Sequence, residues 1–439
     1  MPKPYKFGPI PCLLIGLFLL AAHSSIAQCS FTNLNSSYCV DDAAFTLTGG
    51  TNYYGNGVSG TTFDPAAAGV GTHQLITTNG VASSYLTYVN SFGTFSPEAG
   101  SGTSLVLTDD SQALAIPIGF TFNFFGNNYT TTNVGSNGFI TFDDGTQAQF
   151  AATTPSNQAI RSGTDPDNLI AAVWDDLNPE DGGTIEYFTT GSAPFRKFII
   201  NYTGIPHFSS SPPSPFSVTF QIQLHETTNI IEIHSTQVQS DGGTLTQGIE
   251  DYAASIGYSI AGRNNVSWTA TNDYVAFVPT CLEFKTVTVN ALPTDLNVTP
   301  GATTICSGST TNVTIESSQA GVQYQLQNDS DSSPLSGFFS GTGANLVVTS
   351  NALTSNTTIK VYARNTTTLC DRDLTDKVTV TVDQTPTASA AGPDQNICGT
   401  SATLAANTPV IGSGTWSIVS GAGGSFVLNT DPATTFNGV

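Results

Sequence analysis

The chain has 439 residues, with 32 acidic and 11 basic side chains and a net charge of −21. That balance excludes nucleic acid and an anionic membrane surface as partners, since both require a basic patch, and it is compatible with divalent cations. Only 10% of residues are charged, yet aromatic and β-branched residues are plentiful, so the composition is not a disordered one. The length suits three or four domains, and the abundance of Gly, Ser, Thr and Asn suits an all-β extracellular protein rich in turns.

At the N-terminus Lys3 and Lys6 precede an apolar run from 10 to 22, and Ser25-Ile26-Ala27 places small residues ahead of a cut. Residues 1–27 read as a secretory signal peptide cleaved after Ala27. The run is short for a membrane anchor, and Gln28 occupies the position before Cys29 where lipidation needs a small residue. Removing Lys3 and Lys6 takes the net charge from −21 to −23. No later segment is long and apolar enough to span a membrane.

Seven cysteines occur. Cys12 leaves with the leader, and Cys29, Cys39, Cys281, Cys306, Cys370 and Cys398 remain, an even number that in an exported chain points to disulfides. None has the CxxC spacing of a zinc or redox site. Cys306 and Cys370 bracket one run of strands and are the expected pair, a closed loop worth about 4 kcal/mol on the chain-entropy model. The pairing of Cys29, Cys39, Cys281 and Cys398 stays open.

Residues 28–80 form a small β unit, with strands at Ala44-Phe-Thr-Leu-Thr48 and Thr72-His-Gln-Leu-Ile-Thr77. Residues 81–280 form the largest domain. Its centre is the stretch 116–187, where Ile118, Phe120, Phe122 and Phe124 share one parity and Gly119, Thr121 and Asn123 the other. Period two predicts a half-buried strand with an aromatic inner face, and Asn137-Gly138 tolerates the positive φ of a strand reversal. Further on, Phe216, Val218, Phe220, Ile222 and Leu224 are expected to face in and Ser217, Thr219, Gln221 and Gln223 out. His225-Glu-Thr-Thr-Asn229 then turns the chain into Ile230-Ile-Glu-Ile-His234 as a hairpin. No window of eleven or more residues holds a helical period. Residues 291–383 alternate as a second sandwich, through strands such as Asn312-Val-Thr-Ile-Glu316 and Lys377-Val-Thr-Val-Thr-Val382. Residues 384–439 begin another unit with too few strands to close, so the chain reads as truncated. The expected fold is therefore all-β, a tandem array of β-sandwich domains.

Several blocks carry a resemblance. Leu107-Thr-Asp-Asp, Ile118-Gly-Phe-Thr-Phe-Asn-Phe-Phe-Gly, Ser136-Asn-Gly-Phe-Ile-Thr-Phe, Ala171-Ala-Val-Trp-Asp-Asp-Leu-Asn-Pro, Gly182-Gly-Thr-Ile-Glu-Tyr and Gly248-Ile-Glu-Asp resemble a nidogen-like extracellular module. Such modules occur in adhesion and matrix proteins without a shared catalytic site. Residues 28–80, from Cys39 to His73, and residues 384–439, from Ala391 to Gly421, resemble PKD-like or immunoglobulin-like repeats of large bacterial surface proteins. Ile305-Cys-Ser-Gly-Ser and Thr367-Thr-Leu-Cys370 resemble the paired-cysteine blocks of the same proteins. Cys281-Leu-Glu-Phe-Lys-Thr-Val-Thr-Val-Asn290 looks like the closing strand of such a repeat. It could complete 28–80 with the large domain inserted and Cys281 bonded back to Cys39 or Cys29. The alternative is a plain tandem array with Cys29 bonded to Cys39 and Cys281 free.

The residues offer no catalytic constellation. His225-Glu226 and His234 lack the helical spacing of a metalloprotease and read as solvent-facing, and His73 and His207 are assigned no role. Acidic clusters at Asp109-Asp110, Asp143-Asp144, Asp165/Asp167, Asp175-Asp176 and Glu180-Asp181 fall in or beside loops, where calcium would find hard oxygens. The best candidate set is Asp175, Asp176, Glu180 and Asp181, with turn formation as the competing role. No other cofactor is expected. Trp174 reads as core. The leading expectation is a non-enzymatic, exported surface protein of gram-negative type, secreted or at the cell surface, serving adhesion or a structural stalk, with extracellular protein or glycan ligands. The alternatives are a carbohydrate-binding protein using exposed aromatics such as Tyr53, Tyr54 or Tyr85, and the accessory part of a secreted hydrolase whose catalytic domain follows Val439.

Overall fold

Alternation in the 118–124 stretch becomes one edge of a sandwich. In the strand Gln112–Phe124, Ile118, Phe120, Phe122 and Phe124 are buried while Gly119 and Thr121 are exposed; Asn123, expected on their face, is instead buried, its Oδ1 accepting from Ala82 N at 2.8 Å. The structure is a computed structural model that describes residues 29–142, 156–162, 166–421 and 423–438. The expected leader at 1–27, Cys12, and the acidic residues Asp143, Asp144 and Asp165 lie outside the described residues. Among those described, strands dominate, and the helices are one short turn of α-helix, Pro65–Ala68, and one 3-10 turn, Pro179–Asp181. No described helix is long and apolar enough to cross a membrane.

The chain divides into two units. The first comprises residues 29–34, 44–64 and 73–286; the second comprises 35–43, 65–72 and 287–438.

In the first unit, one sheet has six strands in the order Gly257–Val266, Leu245–Glu250, Leu169–Trp174, Phe139–Thr141, Asn127–Gly135 and Gln112–Phe124. The other has seven, in the order Tyr85–Val89, Ala270–Pro279, Ile231–Val238, Ser217–His225, Lys197–Pro206, Thr184–Thr190 and Thr103–Leu105. The ladders within both sheets are antiparallel, which lets short turns join several of the neighbours. One core joins them: Phe120, Phe122, Phe124, Ile140 and Ile170 from the first sheet meet Phe198, Tyr202, Phe220, Ile222 and Phe277 from the second. Each such side chain contributes roughly 1.5–3 kcal/mol on burial. The Phe124 and Phe142 rings lie 4.8 Å apart and those of Tyr202 and Phe220 4.5 Å. The Tyr202 hydroxyl donates to the Gly135 carbonyl at 2.7 Å, tying one sheet to the other. Trp174 is buried as expected, but on the outer face of the six-stranded sheet, with Phe139 and Ile160.

The expected hairpin forms, with Leu224 opposite Ile231 and Ile222 opposite Ile233. Its facing needs two corrections. Phe216 precedes the strand and is 40% exposed. Gln221 and Gln223, expected in solvent, are buried. The reason is an irregular segment, residues 90–102, that covers the outer face of the seven-stranded sheet. Glu98 N donates to Gln221 Oε1 at 2.8 Å and Gln221 Nε2 returns a bond to the Glu98 carbonyl at 3.0 Å. Lys197 Nζ reaches both Glu98 Oε1, at 2.7 Å, and Gln223 Oε1, at 3.1 Å.

In the second unit a three-stranded sheet, Val298–Pro300, Asn312–Ile315 and Leu346–Thr349, shares a core with a five-stranded one in the order Thr304–Cys306, Asp371–Asp383, Thr357–Asn365, Val322–Asn328 and Phe339–Ser340. Val313, Ile315, Tyr324, Leu326, Val361 and Val380 are fully buried in it. The strand Ser37–Cys39 pairs in parallel with Thr288, Val289 and Asn290. Residues 384–438 form one three-stranded sheet in which Ala402 and Thr434 are the buried residues among those described.

Among the described residues two disulfides are present, Cys29–Cys281 in the first unit and Cys39–Cys370 in the second, and Cys306 and Cys398 are exposed free thiols. The expected Cys306–Cys370 bond is thus corrected. Cys306 lies opposite Asp383, the last residue of the strand Asp371–Asp383, whereas Cys370 immediately precedes its first residue. The two cysteines are separated by the whole strand, about 40 Å at 3.3 Å per residue, against the roughly 7 Å within which Cα atoms can be bridged. Equally, Cys29 and Cys39 do not pair with each other, and Cys281 is not free.

Candidate functional site

The strand Leu169–Trp174 is buried along its whole length, and the chain leaves it carrying two acids, Asp175 and Asp176. Asn137 shapes that exit. Its Oδ1 accepts from Leu177 N at 2.9 Å, its carbonyl accepts from Asp175 N at 3.3 Å, and its Nδ2 donates to Asp110 Oδ1 at 2.9 Å. Gly138 follows at φ +79°, with the place of its missing Cβ only 1.9 Å from the Val173 carbonyl, so no side chain fits there.

Asp175 and Asp176 then diverge. Asp175 turns inward, where Oδ2 accepts from Nδ1 of fully buried His207 at 2.7 Å. The other ring nitrogen, Nε2, donates to the Gln239 carbonyl at 2.7 Å. Both ring nitrogens face acceptors, so the imidazole carries both protons. Burial works against that charge, but the bond to Asp175, its negative charge and the Gln239 carbonyl outweigh it and raise the histidine pKa. Asp241 completes this group, but a histidine donating from both nitrogens has no lone pair for a metal.

Asp176 instead joins Asp109 and Asp110, whose ligand oxygens cluster closely. Burial, then repulsion from Asp110, Asp109, Asp175 and Asp241, pushes the Asp176 carboxyl up to about 6. Burial and the neighbouring Asp110, Glu180 and Asp181 also raise Asp109. Asp109 Oδ1 and Asp176 Oδ1 are closed off from water without a hydrogen-bond partner among the described residues. The four-residue set Asp175, Asp176, Glu180 and Asp181 is therefore not gathered into one group. Asp181 accepts from Asn178 Nδ2 at 3.0 Å within the turn Pro179–Asp181, and Glu180 is exposed. The partners that Asp176 does find, Asp109 and Asp110, were visible as an acidic pair. Nothing in the sequence signalled that they sit beside a residue more than sixty positions away.

A second polar cluster lies under the 90–102 segment. Glu232 accepts from His225 Nε2 at 2.8 Å and from the Tyr274 hydroxyl at 2.7 Å, with His234 Nε2 at 3.7 Å. Burial opposes its charge, yet His225, His234 and Tyr274 hold it well below the usual carboxylate range. His234, expected to face solvent, is buried, because Phe95 packs on its ring and Ser96 N donates to its Nδ1 at 3.2 Å. Among the described residues, none of His207, His225 and His234 bonds a hydroxyl or thiol side chain.

The aromatics singled out for sugar contact separate. Tyr85 is 2% exposed, packed against Phe124, Phe125 and Tyr258. Tyr53 is also buried, its hydroxyl bonded to both polar groups of Gly50. Tyr54 is half-buried and meets Phe195 edge-on, a residue that no sequence pattern singled out.

Comparison with known proteins gives one family model, described as NIDO related, which matches residues 85–294. Among solved structures, the chain is similar to the adhesin InvE of Yersinia pseudotuberculosis, with 12% identity, a TM-score of 0.14, and coverage of 46% of this chain and 60% of that one. The chain thus spans less than two thirds of that adhesin. No curated protein matches. It is over residues 85–294, just under half of the chain, that the nidogen-like resemblance is shown.

Proposed function

We propose that this chain is a non-enzymatic, exported surface protein of a gram-negative bacterium, whose nidogen-like sandwich serves adhesion or a structural stalk. The observation that carries this reading is the fate of the buried titratable groups. His207 is consumed by Asp175 and Gln239, and Glu232 by His225 and Tyr274. Each is locked by its neighbours and holds a sandwich together, whereas a catalytic acid or base needs access to a substrate proton. The NIDO-related match and the two disulfides, which fit an oxidising compartment, point the same way. Export uses a leader cut after Ala27, so the exported protein begins at Gln28. The large domain interrupts a smaller repeat: the Cys29–Cys281 bond and the pairing of Ser37–Cys39 with Thr288–Asn290 support completion of 28–80 by 281–290. Calcium, where it binds, is held by Asp109, Asp110 and Asp176, of which Asp109 and Asp176 each carry a buried oxygen without a hydrogen-bond partner among the described residues, suited to a hard cation.

Beads coated with the chain are expected to attach to bacterial or host cell surfaces, or to matrix proteins, above beads coated with albumin. Attachment no greater than the albumin control on every surface would overturn the adhesive reading.

A further inference from the structure

The strand Asn52–Tyr54 is the edge of its sheet and, among the described residues, pairs only with Gly71–Thr78. Opposite it stands the tip of the hairpin between Thr184–Thr190 and Lys197–Pro206, which carries Pro194 and Phe195. Between them opens a cleft of about 640 Å³, within the range of small-ligand sites. Its walls include Asn52, Tyr54, Asn56, Thr61, Pro194 and Phe195 and, among the described residues, no Asp, Glu, Lys or Arg. In a chain of net charge −21, a site free of charged side chains selects against ions of either sign.

The wall chemistry is specific. Phe195 leaves 42% of its surface in water, and its ring meets that of Tyr54 at 76° with centroids 6.1 Å apart, so the pair presents two aromatic planes nearly at right angles. The side chains of Asn52, Asn56 and Thr61 make no hydrogen bond to any described residue. They leave amide donors and acceptors and a hydroxyl open to a ligand. An apolar plane beside uncharged donors and acceptors complements a pyranose ring, which has a C–H face and a hydroxyl rim.

We propose that this cleft binds a neutral oligosaccharide, with Phe195 and Tyr54 stacking on sugar rings and Asn52, Asn56 and Thr61 bonding hydroxyls. The proposal deepens the adhesive reading and rests on it for the setting in which a glycan is met. Isothermal titration of the full chain with cellohexaose, xylohexaose, mannohexaose and chitohexaose tests it. At least one is expected to bind. Phe195→Ala should weaken that binding about tenfold or more, as loss of one aromatic contact implies, while Phe195→Tyr keeps it within about threefold. Melting of both variants should match the wild type, since Phe195 is half in solvent. No binding to any of the four sugars, or binding undiminished in Phe195→Ala, would overturn the proposal. Beads that adhere while all four sugars fail remove the cleft and leave the adhesive reading. A sugar that binds through Phe195 while beads attach nowhere does the reverse.

Discussion

Asp176 carries its charge among Asp110, Asp109, Asp175 and Asp241, half withdrawn from water, and its pKa of about 6 is the consequence. The sign follows from linkage. A carboxyl whose folded pKa exceeds its unfolded value near 3.9 makes the fold less stable as pH rises from about 4 to about 6, with the full cost present at pH 7. Discounted for partial exposure, that cost is about 1 kcal/mol. Asp176→Asn should therefore raise the melting temperature of the first unit at pH 7 and leave it unchanged near pH 3. Calcium should raise the wild-type melting temperature at pH 7 and do much less for Asp176→Asn. A variant no more stable than wild type at pH 7, by calorimetry, would contradict the electrostatic account. His207 runs the other way. Its raised pKa means that its bond to Asp175 stabilises fully below the unfolded value near 6.5 and fades as pH climbs through the folded value. His207→Gln should cost about 3 kcal/mol at pH 6, because it strands a buried carboxylate, and the gap should narrow by pH 9. Equal cost at both pH values would show that packing, not charge, is at stake.

At the scale of the element, the covering segment 90–102 has no secondary structure of its own and is held by side chains of the sheet beneath. Gln221 is the main fastener, giving and receiving a bond with Glu98 and reaching Asn201 Oδ1 at 2.6 Å. Each such bond is worth about 1 kcal/mol net, so Gln221→Ala should let the segment open about tenfold more often. Hydrogen exchange at Ser96 and Glu98 should speed up accordingly while the Leu169–Trp174 strand keeps its protection. Unchanged exchange at 96–98 would mean that the Lys197–Glu98 pair or Phe95 does the holding. This segment also explains what could be read in the sequence and what could not. Alternation at Ile118–Phe124 and Val218–Leu224 reports one buried face and was legible. Burial of Gln221, Gln223 and His234 is imposed by an aperiodic stretch more than a hundred residues earlier, which leaves no pattern in their own strands. The acidic group was half legible for the same reason: the acids are plain, but the meeting of Asp109 with Asp176 is made by sheet register.

Over the whole molecule, the disulfides were the least legible feature, since bracketing strands suggested Cys306–Cys370 while the length of Asp371–Asp383 forbids it. Peptide mapping under non-reducing conditions should recover Cys29 joined to Cys281 and Cys39 joined to Cys370, with Cys306 and Cys398 alkylated. A Cys306–Cys370 peptide would overturn this assignment.

Those two bonds also decide what happens when the chain is pulled from its ends. Tension entering near Cys29 passes to Cys39, crosses directly to Cys370, and never loads the residues between, a sequence separation of 331. Both the nidogen-like sandwich and the strands before Cys370 hang outside the stretched path. Reduction of both bonds, followed by unfolding of the residues they bracket, would release on the order of 1,100 Å of slack, at roughly 3.4 Å per residue, a length that the oxidised protein withholds under load.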